Sequence, residues 1–367
     1  RGPAAKIVEN MEASLHVPTA TSVRTFPVKL MAENRTLVND FQRASGGEKV
    51  SYTHLIAWAI VQGLRAVPSM NSTFRRADGS PEHVFPSAIN LGLAIDIERR
   101  GRRALLVPNI KNAGEMTFPQ FLGIYNDIVR RARDNELELS DFHGTTATIT
   151  NPGMIGTSLS VPRLMANQGV IVGVGSIGYP PEYHAFSPET VSKTGISQVM
   201  TITSTYDHRV IQGAESGAFL AYVAELLLGE HDFYTKLFVE MNVPYQPFVL
   251  RQDTTPQLGS AEPETEMIEK QARVLQLIRA HRVRGHLQAD VNPLGYEWVE
   301  HPELDPATYG LTVWDLDREF VTGGLGGSNI LPLRKILSIV REAYSRKVGI
   351  EYMHISDPDE KSWLESR

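Results

Sequence analysis

The sequence predicts an α/β domain with a mixed sheet, followed by a linker and a second region that is mostly helical. Up to about residue 245, segments with helical periodicity alternate with strand-like runs. From Val243 the composition changes to a polar stretch rich in proline, which is typical of a linker, and helical periodicity resumes at Met267. We therefore expect the α/β domain over residues 1–243, the linker over 244–264 and the helical region over 265–367.

Helices are predicted where apolar residues recur at a spacing of about three to four positions. Tyr52–Val67 and Phe118–Arg133 show this spacing in the first region. In the second region it is found from Met267 to about Gly285 and again over about Leu333–Val348. The segment between these two helices is expected to be rich in loops.

Strands are predicted where apolar and polar residues alternate over short runs. Leu91, Leu93 and Ile95 alternate in this way, and a second run at 104–110 follows an Arg-Gly turn, so the two runs are expected to form a hairpin. Three more strands are expected: Thr145–Asn151, Gly169–Val174 and Ser197–Tyr206.

Composition narrows the class of protein. The 367 residues are 42% hydrophobic and 21% charged, as in a globular protein, and no apolar run approaches the roughly 20 residues that span a membrane. There is no cysteine, which excludes disulfides, cysteine-ligated zinc and thiolate nucleophiles and suits a reducing cytoplasm. The net charge of -6 argues against nucleic acid as a partner. The first residue is not Met, and we expect a part of a longer protein.

His208 is the strongest candidate for a catalytic side chain. It lies between Asp207 and Arg209, after a strand-like run of alternating threonines and before an apolar helix that begins at Gly213. Junctions between strand and helix often expose side chains to ligands. Imidazole, with an unperturbed pKa of about 6.5, is well suited to act as a base near neutral pH.

The run YDHRVIQGAESGAFL, Tyr206–Leu220, resembles the DHRxxDG signature of the dihydrolipoamide acyltransferases, the E2 components of 2-oxo acid dehydrogenase complexes. Residues 1–28, 90–113 and 148–177 resemble, in the same order, the first helix and strand, a hairpin and a TISN-containing segment of that family. The resemblance covers about residues 1–240 and implies the two-layer E2 catalytic fold, which is like that of chloramphenicol acetyltransferase.

The resemblance also implies a reaction. His208 would take the proton of the coenzyme A thiol, whose thiolate attacks the thioester of an acyl-dihydrolipoyl group. Thr150, in TITN, would donate a hydrogen bond to the oxyanion. Asp207 is expected to orient the loop or to bias the imidazole. Coenzyme A and lipoamide would be the substrates, and no metal site is expected in this chain.

One position departs from the signature: Gln212 stands where the family has an Asp that pairs with an Arg to hold the loop. Either Gln212, with Arg209, supports the loop through neutral hydrogen bonds and activity is retained, or the site has decayed and the domain is kept for assembly. We expect the first, because His208 and Thr150 are both present.

Four more residues are weaker candidates. The resemblance places Thr157 and Ser160 where succinyl-specific relatives carry hydroxyls in the acyl pocket, and both are equally consistent with polar loop residues. Arg163 and Arg102 could meet the phosphates of coenzyme A, although most exposed arginines bind nothing specific.

The second region resembles the N-terminal part of the E1 component of 2-oxoglutarate dehydrogenase, in residues 269–295, 301–320 and 333–367. The GDG motif of thiamine enzymes is absent, so the sites for thiamine diphosphate and Mg²⁺ are expected outside this chain. An E2 catalytic domain ahead of an E1 start resembles the architecture of actinobacterial multifunctional 2-oxoglutarate dehydrogenase/decarboxylases of the tricarboxylic acid cycle.

This architecture implies succinyl as the acyl group. It also implies a lipoyl-bearing E2 protein and the E3 dihydrolipoamide dehydrogenase as partners, because no lipoyl or E3-binding domain is recognisable here. A homo-oligomer is expected, as an E2-type trimer, an E1-type dimer or both. Two alternatives remain: a silent E2-like module that tethers E1 to a partner core, and a free-standing acetyltransferase of the chloramphenicol type.

Overall fold

The structure, a computed structural model, describes residues 3–99, 101–165, 167–251, 263–292, 299 and 301–365. The chain divides into two compact units. The first comprises Arg1–Arg35, Gln42–Pro181 and Ser197–Phe233, and the second Thr36–Phe41, Glu182–Ile196 and Tyr234–Arg367. Most of the linker expected at 244–264 lies outside the described residues.

The helices of the described chain, named in order, are α1 Pro3–Ser14, α2 Lys29–Ser45, α3 Tyr52–Ala66, α4 Phe118–Asp134, α5 Pro188–Lys193, α6 Gly213–Leu227, α7 Phe233–Glu240, α8 Pro263–Arg284, α9 Leu333–Tyr344 and α10 Pro358–Glu365. The strands are β1 Thr19–Pro27, β2 Thr73–Ala77, β3 Ser80–Val84, β4 Leu91–Leu93, β5 Ile95–Arg99, β6 Arg102–Leu106, β7 Asn109–Ile110, β8 Ala147–Thr150, β9 Val170–Val174, β10 Val199–Asp207, β11 Glu319–Val321 and β12 Ile330–Pro332.

The first unit is built on a six-stranded sheet with the strand order β1-β10-β9-β8-β4-β7. The sheet is mixed, as predicted: β8 runs parallel to both β9 and β4, and the other pairs are antiparallel. The predicted hairpin is confirmed in two parts, since β5 pairs with β6 at its tip while β4 and β7 continue the pairing inside the main sheet. The three further strands expected from alternation are β8, β9 and β10.

The predicted helices of this unit are confirmed as α3 and α4, and both bury an apolar face. α3 also packs against α6. This contact is close because of Gly63: an added Cβ would lie 2.8 Å from Cγ2 of Val223. On the side towards α4, the Trp58 ring lies 5.3 Å from that of Phe121. A glycine on an otherwise apolar face therefore marks the point where two helices approach each other.

The hairpin of β2 and β3 was not predicted from the sequence. Its strands are short, largely exposed and partly charged, with Arg75 and Glu82 joined by an exposed ion pair 2.6 Å long. Such a hairpin buries no apolar face, so it leaves no alternation to detect. Its first strand carries Phe74, whose ring contacts the guanidinium of Arg209 next to the candidate active site.

The second unit contains the predicted helices α8 and α9, with α9 ending four residues earlier than expected, at Tyr344 rather than Val348. Between them the described residues are mostly irregular, as predicted, apart from short 3-10 turns and the β11–β12 ribbon. A buried ion pair joins α8 to this segment, with Lys270 Nζ 2.9 Å from Asp315 Oδ1. None of the helices described is long and apolar enough to cross a membrane.

The start of α3 makes the first unit sensitive to acid. His54 is buried, and its Nδ1 accepts a hydrogen bond of 3.2 Å from the backbone N–H of Ser51. Burial lowers the pKa of His54 to about 4, against 6.5 for the free side chain. Because the folded pKa is the lower one, the stabilising contribution is complete above pH 6.5 and is lost as the pH falls towards 4, about 2 kcal/mol of it by pH 5.

His54→Gln is expected to remove most of this loss. Glutamine is not protonated in this range, and it suits this position of a capping box that begins with Ser51. Hydrogen-exchange protection factors of residues 52–66, compared at pH 7 and pH 5, measure the effect. An equal loss of protection in the variant and the parent chain would show that another group is responsible.

Candidate active site

His208 lies directly after β10, on an exposed turn. Its backbone N–H donates to the carbonyl of Pro18 at 2.9 Å, and its ring Nδ1 is 3.1 Å from the carbonyl oxygen of Ile211. A carbonyl can only accept a hydrogen bond, so Nδ1 must carry the proton. The lone pair is then on Nε2, which has no hydrogen-bond partner among the described residues. This tautomer and orientation are those of a base ready to accept a proton.

The turn that carries His208 is held by a buried carboxylate. Asp207 is 3% exposed and accepts hydrogen bonds from Arg209 at 2.5 Å from Nη2 and 2.8 Å from Nε. The guanidinium also lies 3.9 Å from the ring centre of Phe74, in β2. The backbone N–H groups of Val210 and Ile211 donate to the carbonyl of Asp207 at 3.2 and 3.0 Å. Asp207 and Arg209 thus form an ion pair that fixes the turn on both sides of His208.

Gln212 occupies the N-cap position of α6 and is exposed. Its backbone N–H donates to the carboxylate of Glu215 at 2.6 Å, half of a capping box. The family's Asp at this position is expected to hold an arginine, but in this chain the carboxylate that binds Arg209 belongs to Asp207. The structure therefore gives the charged contact of the loop to a residue five positions earlier, the last one of β10.

Gln212→Asp is expected to stabilise α6 and leave catalysis unchanged. Aspartate is a preferred N-cap residue and its charge suits a helix N-terminus, together about 1 kcal/mol. The turnover number should stay within about twofold, because Arg209 is already paired. Urea unfolding and acyl-transfer kinetics measure the two effects, with Gln212→Ala as the control that adds no charge. A turnover number about tenfold higher in Gln212→Asp would show that the missing charge limits the site.

Thr150 ends β8 and is half-buried. Its hydroxyl makes no hydrogen bond with the described residues, so it remains available as a donor. The next side chain, Asn151, donates to the hydroxyl of Thr53 at 2.8 Å and fixes the end of the strand to the start of α3. The Thr150 hydroxyl lies at the end of a strand and is free to donate, so it is suited to bind a developing negative charge.

The sheet register separates Thr150 from His208 within one chain. Thr150 is level with Gly173 in β9, which is level with Thr203 in β10. His208 lies five residues beyond Thr203, or roughly 16 Å along the strand, and β9 adds about 10 Å sideways. The two residues are therefore at opposite ends of the sheet, too far apart to act on one carbonyl group.

The segment after Thr150 returns across the end of β9 and the middle of β10. Thr203 Oγ1 donates to the Ser160 carbonyl at 2.7 Å, and the Ser176 N–H donates to the Thr157 carbonyl at 2.8 Å. The side-chain hydroxyl groups of Thr157 and Ser160 make no hydrogen bond with described residues. Both side chains are half-buried, so the backbone is fixed while the hydroxyls remain available to a ligand.

Glycines allow the backbone after Thr150 to pass this close to the backbone after β9. The sequence alone did not predict this contact. A Cβ on Gly175 would lie 2.1 Å from the Ser158 carbonyl oxygen, and one on Gly153 2.3 Å from the Gly175 carbonyl carbon. No side chain can be accommodated at such distances without a shift of the backbone. The Gly-Val-Gly run at 173–175 is thus explained by contact between two backbone segments.

The structure gives less information about the two arginines proposed to bind coenzyme A. Arg163 is exposed on the returning segment, in the same part of the chain as Ser160. Arg102 begins β6, opposite Arg99, and its side chain lies outside the described part of the structure. Over the described residues there is no group of three or more His, Asp or Glu side chains arranged to hold a metal ion.

Comparison with known proteins gives the family context. The model of the family described as 2-oxoacid dehydrogenases acyltransferase (catalytic domain) matches residues 1–233. Curated relatives from Mycobacterium sp. strain JLS and from Mycolicibacterium vanbaalenii are each 48% identical over 371 aligned residues, covering 100% of this chain. Both carry the name multifunctional 2-oxoglutarate metabolism enzyme, and this chain spans 29% of their length.

Solved structures agree on the fold. A probable dihydrolipoamide acetyltransferase from Listeria monocytogenes is 24% identical, with a TM-score of 0.53 over 62% of this chain and 92% of that one. The dihydrolipoamide acetyltransferase of Azotobacter vinelandii also has 24% identity and a TM-score of 0.53, over 64% and 90%. The predicted α/β fold of E2 catalytic cores is confirmed.

Proposed function

Because the chain belongs to the 2-oxoacid dehydrogenase acyltransferase family through residues 1–233, we propose that this domain transfers a succinyl group from dihydrolipoamide to coenzyme A. The observation that carries the proposal is the orientation of His208, whose Nδ1 is bound to a backbone carbonyl while Nε2 faces away without a partner in the described chain. An exposed imidazole held in one tautomer is suited to general-base catalysis.

In the proposed reaction, Nε2 of His208 takes the proton of the coenzyme A thiol. The resulting thiolate adds to the thioester carbonyl of succinyl-dihydrolipoamide and forms a carbon–sulfur bond, while the carbonyl oxygen becomes an oxyanion that accepts a hydrogen bond from the Thr150 hydroxyl. Collapse of this intermediate breaks the bond to the lipoyl sulfur. The departing thiolate takes the proton back from the imidazolium, which restores His208.

We further propose that each site is completed by a second copy of the chain. One chain keeps His208 and Thr150 at opposite ends of the sheet, so the base of one copy must meet the hydroxyl of another. The surface beside Thr150 supports this, since Met154 and Ile155 are 81% and 77% exposed on the segment that follows it. Apolar side chains exposed together often mark an interface. A related solved structure is the cubic core of a pyruvate dehydrogenase multienzyme complex.

The amide at Gln212 is compatible with activity in this proposal. In the Azotobacter enzyme, the roles of a serine, a histidine and an asparagine four residues beyond that histidine in the catalytic mechanism have been investigated. Gln212 likewise lies four residues after His208. We assign Asp207 and Arg209 to positioning the turn, and Gln212 to the start of α6.

The choice of succinyl is supported by the name of the curated relatives, which refers to 2-oxoglutarate metabolism. Removal of carbon dioxide from 2-oxoglutarate leaves a four-carbon acyl group with a terminal carboxylate. We propose that the hydroxyl groups of Thr157 and Ser160 bind this carboxylate and that Arg163 and Arg102 bind phosphates of coenzyme A. For the longer protein we propose thiamine diphosphate, Mg²⁺, a lipoyl-bearing E2, the E3 dehydrogenase and a cytoplasmic location.

A direct assay tests the proposal. The chain is incubated with coenzyme A and either succinyl- or acetyl-dihydrolipoamide, and formation of the coenzyme A thioester is followed. We expect the specificity constant for succinyl to exceed that for acetyl by at least about tenfold, and Thr157→Val with Ser160→Ala to reduce this preference. Equal rates would contradict succinyl specificity. Absence of both transfer and coenzyme A binding would favour the silent assembly module instead.

A further inference from the structure

A cavity of about 280 Å³ lies in the first unit, and none of the residues assigned to acyl transfer lines it. It opens to solvent and is bordered by the end of α3, the segment that follows β3 and the turn after β7. Apolar side chains form much of its wall, among them Leu64, Pro68 and Ile89. This volume and mixed lining suit a small organic molecule rather than a single water.

A buried amide oxygen in the wall lacks a hydrogen-bond partner. Asn71 lines the cavity and is 6% exposed. Its Nδ2 donates to the carbonyl of Ala88 at 3.0 Å, which fixes the orientation of the amide because a carbonyl cannot donate. Oδ1 then has no partner among the described residues. The oxygen itself exposes almost no surface, so it makes the wall polar behind the atoms that a ligand would touch.

Two opposite charges border the same cavity. Arg65, at the end of α3, and Glu115, in the turn after β7, both line it and are both exposed. No ion pair joins them in the part of the chain that the structure describes, and Arg65 Nη1 donates to Gln62 Oε1 at 3.3 Å in an exposed contact. Between them, Gly114 leaves space, since an added Cβ would lie 3.1 Å from Ile89 Cδ1 and 3.7 Å from Arg65 Cγ. The cavity therefore offers a cation and an anion to one ligand.

We propose that this cavity binds a small zwitterion of the α-amino acid type with an aliphatic side chain. The carboxylate of such a ligand matches the guanidinium of Arg65. Its ammonium group matches the carboxylate of Glu115. Its side chain fits the apolar wall at Leu64 and Ile89. A ligand with only one of the two charges leaves the other group of the rim unmatched.

Calorimetric titration of the chain with L-leucine tests the proposal. We expect a dissociation constant on the order of 1 mM, as is usual for a ligand of this size. 4-Methylpentanoate, which lacks the ammonium group, and isopentylamine, which lacks the carboxylate, are expected to bind at least about tenfold more weakly. Arg65→Ala and Glu115→Gln should weaken L-leucine by a similar factor. Both residues are exposed, so the variants should fold.

Arg133→Ala and Glu138→Gln serve as matched controls, because both residues are exposed and neither lines the cavity. Their affinity for L-leucine should equal that of the parent chain. The proposal is overturned if L-leucine shows no binding at about 10 mM. It is also overturned if Arg65→Ala and Glu115→Gln bind as the controls do, or if either single-charge analogue binds as well as L-leucine.

Discussion

His208→Ala is expected to lower the rate of acyl transfer to coenzyme A by about 10²–10⁴-fold, the usual contribution of a general base. The imidazole is exposed and its ring contact is with Tyr206, 5.6 Å away between centroids, so the variant should keep its fold. The loss should therefore appear in the turnover number, with the affinity for coenzyme A changed much less. Stopped-flow measurement of thioester formation, together with calorimetry of coenzyme A binding, separates the two effects.

A second exposed histidine provides the matched control for this experiment. His143 lies in the same unit, and its side chain is solvent-exposed. His143→Ala should transfer the acyl group at the parent rate. If His208→Ala also retained the parent rate, the assignment of His208 as the base would be wrong.

Thr150→Val is expected to reduce the turnover number by about 10²–10³-fold, because it removes one hydrogen-bond donor to the oxyanion while keeping nearly the same volume. Thr150→Ser retains the hydroxyl and should keep most of the activity. This pair distinguishes a role in catalysis from a role in packing at the end of β8. Equal loss in both variants would point to packing, and no loss in Thr150→Val would remove Thr150 from the mechanism.

The same two variants can show whether the site is shared between chains. If His208 and Thr150 act from different copies, mixed oligomers of His208→Ala and Thr150→Val chains contain some sites with both residues intact. Random assembly from equal amounts should restore about a quarter of the parent activity. Each variant alone, assembled with itself, should remain inactive. Mixed oligomers that are as inactive as the single variants would place the two residues in one chain and contradict the register argument.

Much of the fold could be predicted because its central elements bury one face. The apolar spacing in α3 and α4 and the alternation in β4 reflect contact with a core, which is the information that periodicity carries. The β2–β3 hairpin buries little and was missed. The close return of the chain at Gly153 and Gly175 depends on residues distant in sequence, so a glycine alone did not predict it.

The site was predicted only in part. Resemblance named His208, Thr150 and Asp207, since these are side chains that a motif can mark. The hydrogen-bond partner of the His208 ring is the carbonyl of Ile211. Every residue type carries this backbone group, so no sequence motif can mark it. The separation of Thr150 from His208 follows from strand order and register, which depend on the whole sheet.

The hydrogen bond from His208 to the carbonyl of Ile211 has a consequence for mutational studies. Because the acceptor is a backbone atom, a scan of side-chain replacements around the ring can change packing and charge but cannot delete the group that sets the tautomer. Replacing the Ile211–Gln212 amide by an ester would weaken that acceptor while keeping every side chain. The orientation of the proposed base is therefore protected from most single-codon changes near it, and would be lost only through a change in the path of the chain.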